Sequence, residues 1–337
     1  MRQHTAYTYL LYMNVIRQSP VINLTMLATI VAAVAVRARL APYPAETAAD
    51  TAAFLGSALG AWQIQHQTAA ALIAAAVWFM AGWAIGLVVR VRELYFIRTT
   101  ITIPIYGIVA CGIFCPHDSL TAAVVSLLFV IAVRSYFEAF RDGYGFSQMF
   151  FGSMCLGALP LLYAPSVTLL LTMPLAVMIF KRSAREAIVA LAGVMSVPLT
   201  VCYVCWGVGG GFAAPLLQTA EALATPSGYR FFGALPAVAA VLAGMLLALV
   251  LGAVLISSVN IYSMNSRARY FNFYNMCAFA IALSTLALPS STPSAFGLIA
   301  VPTAMTIPAM LVQIKPHVAN AIFAVLSLLF ILHLFVG

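Results

Sequence analysis

"SLTAAVVSLLFVIAVRSYFEAFRDGYGFSQMFFGSMCLGALPLLYAPS", residues 119–166, decides the fold. Residues 119–133 carry no charge; Arg134, Glu138, Arg141 and Asp142 then crowd into nine positions; residues 147–163 are uncharged again. Only 7% of the chain is charged, so a cluster set between two apolar runs marks a point where the chain leaves a bilayer and re-enters it. The four charged residues fall at i, i+4, i+7 and i+8, so a helix puts them on one face where they can pair. Tyr136, Phe137, Phe140 and Tyr144 are expected at headgroup depth, where an apolar ring with a polar tip is favoured. Gly143 and Gly145 are expected to end the helix.

The same alternation runs through all 337 residues. The chain is 64% hydrophobic, with a mean hydropathy of +1.04, whereas soluble domains carry ~25% charged residues. Too little polar surface exists to cover a water-exposed globule, so lipid must solvate most of the chain. A helix crosses a hydrocarbon core of ~30 Å with about 20 residues. Apolar stretches near that length fall at 20–36, 68–89, 99–115, 119–133, 147–163, 166–180, 187–206, 232–257, 272–288, 295–312 and 317–336. The expected fold is therefore all-α: a polytopic transmembrane bundle of eleven spans, forming one integral membrane domain over 1–337. The shorter stretches are expected to tilt little or to thin the bilayer. The N-terminal leader is long and Arg37 and Arg39 follow its apolar run directly, so it reads as an uncleaved first span.

Basic residues set the orientation. With the N-terminus inside, 13 of the 16 Lys and Arg residues fall in cytoplasmic segments, including the loops 89–98, 134–146, 181–186 and 258–271. Only Arg37, Arg39 and Arg230 fall outside. The net charge of +8 is spread over short loops, so no nucleic-acid partner is implied.

Two outer loops, 37–67 and 207–231, are longer than the rest. In the first, Pro42 and Pro44 stop a helix and Glu46 and Asp50 open another, whose apolar side would comprise Ala49, Ala53, Leu55, Leu59 and Trp62. It is expected to lie flat at the interface with both acids at its N-terminal end. Arg37 or Arg39 is positioned to pair with them. The second loop holds the flexible "GVGGGF" exit (207–212), a short amphipathic piece around "LLQTAEAL", Glu221 and Arg230. None of the eight acids lies mid-span, which argues against proton- or ion-coupled transport and leaves carriers built on backbone and hydroxyl groups. No cofactor or metal is expected. Cys202 and Cys205 form a C-x-x-C that reads either as small core residues or as a redox pair near the outer face. His317 and His333 read as interfacial residues rather than metal ligands. Prolines within spans (Pro104, Pro160, Pro174, Pro198, Pro236, Pro302, Pro308) are expected to bend helices and free carbonyls.

The run from Tyr136 through "LLYAPS" (161–166) to Arg185–Glu186 resembles an uncharacterised inner-membrane family of the Bacteroidota. In that family a charged aromatic segment precedes a small-residue span, a Leu-Tyr-x-Pro-Ser turn and an Arg-Glu pair. The resemblance itself implies no activity. Some members carry a carotene-oxygenase label; such enzymes share four iron-binding histidines on a β-propeller, whereas the five histidines here are scattered and no strand pattern exists. The layout is also similar to the GT-C glycosyltransferases that use polyprenyl-phosphate sugars, with long outer loops after spans one and seven. That resemblance implies that Glu46 or Asp50 is the general base on an acceptor hydroxyl, and that Arg37, Arg39 or Arg230 holds the lipid phosphate. No Asp-x-Asp or Asp-Glu pair follows the first span directly. The leading expectation is a GT-C-like protein, active or degenerate, with membrane lipid or polyprenyl phosphate as partner. The alternatives are a non-enzymatic subunit or scaffold of an envelope assembly, with a membrane-protein partner, and a transporter or channel.

Overall fold

The computed structural model describes residues 15–40, 53–91, 99–112, 119–140, 143–227, 237–259 and 266–336. These residues are 87% helical, with no strand among them. The α-helices are α1 (Pro20–Leu40), α2 (Phe54–Gln65), α3 (Gln67–Val91), α4 (Thr102–Gly112), α5 (Ser119–Ala139), α6 (Phe146–Leu162) and α7 (Thr172–Ile179). They continue with α8 (Ala184–Gly207), α9 (Ala214–Ala224), α10 (Ala237–Val259), α11 (Ser266–Ser284), α12 (Ala295–Leu311) and α13 (Pro316–Val336). The described part of each expected apolar stretch falls largely on helix, although 166–180 divides into a 3-10 segment, Ala164–Leu171, followed by α7.

Among the described residues, six helices (α1, α3, α5, α8, α10 and α13) are long and apolar enough to cross a membrane. The chain is a membrane protein on that ground. Four other apolar segments are shorter within the described residues, and the 11 described residues of α4 span ~16 Å at the helical rise.

The bundle is organised around α12, all 17 of whose residues are buried. It packs against α4, α5, α10 and α11. Its threonine hydroxyls donate within the helix, Thr303 to the Ile299 carbonyl and Thr306 to the Pro302 carbonyl, and neighbouring helices supply further partners. Asn275 of α11 donates to the Pro302 carbonyl at 2.9 Å and to Thr306 Oγ1 at 2.7 Å. Ser126 of α5 donates to the Gly297 carbonyl at 2.8 Å and pairs with the Tyr106 hydroxyl at 2.7 Å. Pro302 and Pro308 lie inside α12, and each removes one intrahelical donor. Pro104, by contrast, occupies the first turn of α4, where no intrahelical bond is lost, and Pro174 stands where the 3-10 segment passes into α7. Pro236 lies outside the described residues.

Chain direction alternates between two ends of the bundle. One end gathers the turn 143–145, the α7–α8 connection and the start of α11: Arg182 donates to the Gly143 carbonyl at 3.0 Å, and the Lys181 ammonium stands 5.7 Å from the Tyr270 ring centre. Among the described side chains, Arg134, Lys181, Arg182, Arg185, Arg267, Arg269 and Lys315 lie at this end, and of the basic residues Arg37 alone lies at the other.

The structure corrects the reading of the 134–145 cluster. Arg134 and Glu138 do pair, at 3.1 Å, but α5 ends at Ala139, four residues before Gly143; Arg141 and Asp142 lie outside the described residues. Tyr136 and Phe137 are not at a headgroup surface. They are 0% and 1% exposed, with Phe137 4.3 Å from Phe271 and Tyr136 edge-on to Tyr274. The face of α5 that bears them meets α11 and Phe180 rather than lipid. Neighbouring helix and acyl chain are equally apolar, so composition alone does not separate them.

Candidate functional site

The other end is where the two long connections meet. Tyr163 leaves α6 in an extended conformation (φ −143°, ψ 100°), and Pro165 then opens the 3-10 segment. Ser166 closes the turn, its amide 3.0 Å and its hydroxyl 2.7 Å from the Tyr163 carbonyl. The Tyr163 hydroxyl accepts from the Thr292 amide at 3.0 Å and donates to the Thr292 carbonyl at 3.3 Å. The α6 exit is thereby tied to the α11–α12 connection, 129 residues downstream.

Helices α2 and α9 cover this turn. Gly56 of α2 approaches the Leu162 carbonyl so closely that a Cβ has no room. Ala53, Ala164 and Ala222 form a small buried cluster, with Leu223 packed on it. Gln218 of α9 reaches Ser57 of α2 at 3.5 Å. Beyond α9, the Ser227 amide donates to the Pro289 carbonyl at 3.0 Å and its hydroxyl to the Ser291 carbonyl. Ser290, Ser291 and Ser294 are buried beneath this contact, and the Ser290 hydroxyl has no hydrogen-bond partner among the described residues. The result, among the described residues, is a hydroxyl-rich cap assembled from four distant segments.

The helix expected in the first outer loop exists but begins at Phe54. Its buried positions are Gly56 and Gln63, seven apart, so its inward side packs on α6 and α5. Leu55, Leu59 and Trp62 are half-buried flanks. Glu46, Asp50 and Arg230 lie outside the described residues, as does the Arg39 side chain. Arg37 is placed: its Nη1 donates to the His333 carbonyl in the last turn of α13 at 2.7 Å, a cation on the negative end of a helix dipole. Cys202 is buried and Cys205 partly so, and both are free thiols. Among the described residues no group of three His, Cys, Asp or Glu side chains is arranged to hold a metal ion.

Glu186, at the opposite end, was signalled in sequence by Ser183-x-x-Glu186, a capping-box pattern that a search for apolar spans passes over. Ser183 and Glu186 form that box at the start of α8. Glu186 also accepts from the Gly145 amide at 2.8 Å and pairs with Arg182 at 3.3 Å, with both side chains nearly buried. One carboxylate thus caps α8 and fixes the α5–α6 turn. The Tyr163–Thr292 tie had no such local signal, because its partners belong to different connections.

No protein-family model, curated protein or solved structure matches the chain.

Proposed function

We propose that the chain is a GT-C-like membrane protein whose Tyr163 end faces the outside of a bacterial inner membrane and acts on a polyprenyl-phosphate-linked sugar. The supporting observation is the convergence of α2 and α9, from the two long connections, on the single turn at Leu162–Ala164. Loops separated by about 160 residues meet there, which is what a composite site for a lipid-linked substrate requires. Glu46 and Asp50 precede Ala53, a member of the buried alanine cluster, by seven and three residues in sequence. In this reading one of them is the general base on the acceptor hydroxyl. Arg39 and Arg230 hold the phosphate, with Arg37 contributing the N–H groups that His333 does not engage. The basic residues at the Glu186 end support the orientation.

The test is purification in mild detergent followed by lipid analysis and a sugar-transfer assay. Retained polyprenyl phosphate, and transfer that is lost in Glu46→Gln or Asp50→Asn while the protein still folds, support the reading. Full transfer by both variants overturns it.

A carrier is the second reading. It is favoured by α12, buried along its whole length, carrying two prolines and lined with hydroxyl and amide groups. Short or proline-interrupted segments of that kind often mark transport sites. A carrier would show substrate-dependent stabilisation untouched by changes at Glu46 and Asp50. A scaffold would instead retain a stable membrane-protein partner through purification.

A further inference from the structure

Residues 187–220 contain no Asp, Glu, Lys or Arg, a run of 34 between Glu186 and Glu221. Crossing the hydrocarbon takes about 20 residues, which α8 supplies by its end at Gly207. The remaining uncharged residues form a glycine turn, with Gly209 at φ +92°, and then α9. This stretch does not withdraw its apolar side chains into the bundle. Tyr203, Trp206, Val208, Phe212, Leu216 and Leu217 are all exposed, Val208 at 85%. They continue the exposed apolar stripe that Ile188, Met195 and Leu199 begin lower on α8.

Helix α9 itself divides into three faces. Pro215 and Ala222, seven apart, turn into the bundle. Leu217, Ala220 and Ala224, at i, i+3 and i+7, face away from it, with Leu216 beside them, and all are exposed. Glu221 is exposed at the edge of that outward face. What points to lipid is continuity: the exposed apolar stripe reaching this face comes from a helix with the length and apolarity of a span.

We propose that residues 203–224 form an interfacial anchor whose free apolar face is covered by bilayer acyl chains at the Tyr163 end. Helix α9 then lies along the membrane surface with Glu221 in water. Tyr203 and Trp206 stand at the depth where such rings are favoured, and Tyr203 is packed edge-on against Phe212 at 5.2 Å. The anchor would seat α9 on α2 and the Leu162–Ala164 turn from the lipid side. It requires the chain to be in a membrane but is independent of the sugar-transfer reading.

The test uses the full chain in nanodiscs of phosphatidylcholine and phosphatidylglycerol, with reactive native cysteines replaced by serine. A spin label is placed at Leu217→Cys, Ala224→Cys or Glu221→Cys in turn. Collisions with oxygen should outweigh those with a water-soluble nickel chelate at 217 and 224, and the order should reverse at 221. Chelate-dominated collisions at 217 and 224 would place α9 in water and overturn the proposal. Exclusion of both reagents there would mean that protein covers the face, which overturns it equally. If Leu217→Cys does not fold, the label at Ala224→Cys probes the same face and decides between the same outcomes.

Discussion

Replacing Gly193 by alanine tests how the two helices beside the candidate site are held together. Gly193 of α8 is buried against α6, and a Cβ built there meets the Phe150 carbonyl oxygen at 2.5 Å and Ser153 Cβ at 3.1 Å. Ordinary contact begins at 3.4 Å, so α8 must retreat by 0.9 Å. The obstacle is backbone, and no rotamer change relieves it. A gap of that size forfeits a quarter to a half of the dispersion energy of each contact it opens. The loss extends to the same crossing's second close approach, Gly157 under the Val194 carbonyl. Overpacking of this kind costs about 2–3 kcal/mol, against a gain of ~0.5–1 kcal/mol from replacing a helical glycine by alanine. The expected net loss is therefore about 1–2.5 kcal/mol. Gly244 of α10 is the control, because nothing stands within 4 Å of its Cβ position; Gly244→Ala should stabilise by ~0.5–1 kcal/mol. Reversible unfolding in mixed micelles, followed by circular dichroism as dodecyl sulfate is increased, measures both. Equal or greater stability of Gly193→Ala would show that the α6–α8 crossing is not this close.

Glu186→Ala should cost about 3–5 kcal/mol, because it leaves Arg182 without its nearly buried partner and removes the acceptor for Gly145 and Ser183. Glu138→Ala breaks a more exposed pair at 3.1 Å and should cost only ~0.3–0.5 kcal/mol; similar losses in the same titration would refute the assignment of Glu186 as the staple. Tyr163→Phe removes the acceptor of the Thr292 amide and should cost roughly 1–2 kcal/mol. It should also raise hydrogen exchange at that amide, and unchanged protection there would show that the tie does not form.

Charge scarcity and the spacing of apolar runs identified the helical segments, because a bilayer demands long apolar helices whatever their arrangement. The runs at 68–89 and 317–336 match α3 and α13 within a few residues. A 3-10 segment in place of a regular span start at Ala164–Leu171 was not legible, since Pro165 permits either. Nor was the burial of Tyr136 and Phe137, because the sequence states polarity and not which apolar surface a side chain meets. For the candidate site the division is sharper. That two connections are longer than the rest could be read directly, but not that Ala53, Ala164 and Ala222 touch, nor that Tyr163 holds Thr292. Periodicity and composition are local properties, so the sequence by itself determined helices and their apolarity. The meeting of segments more than a hundred residues apart depends on which small residues let backbones approach, and only the tertiary structure decided that.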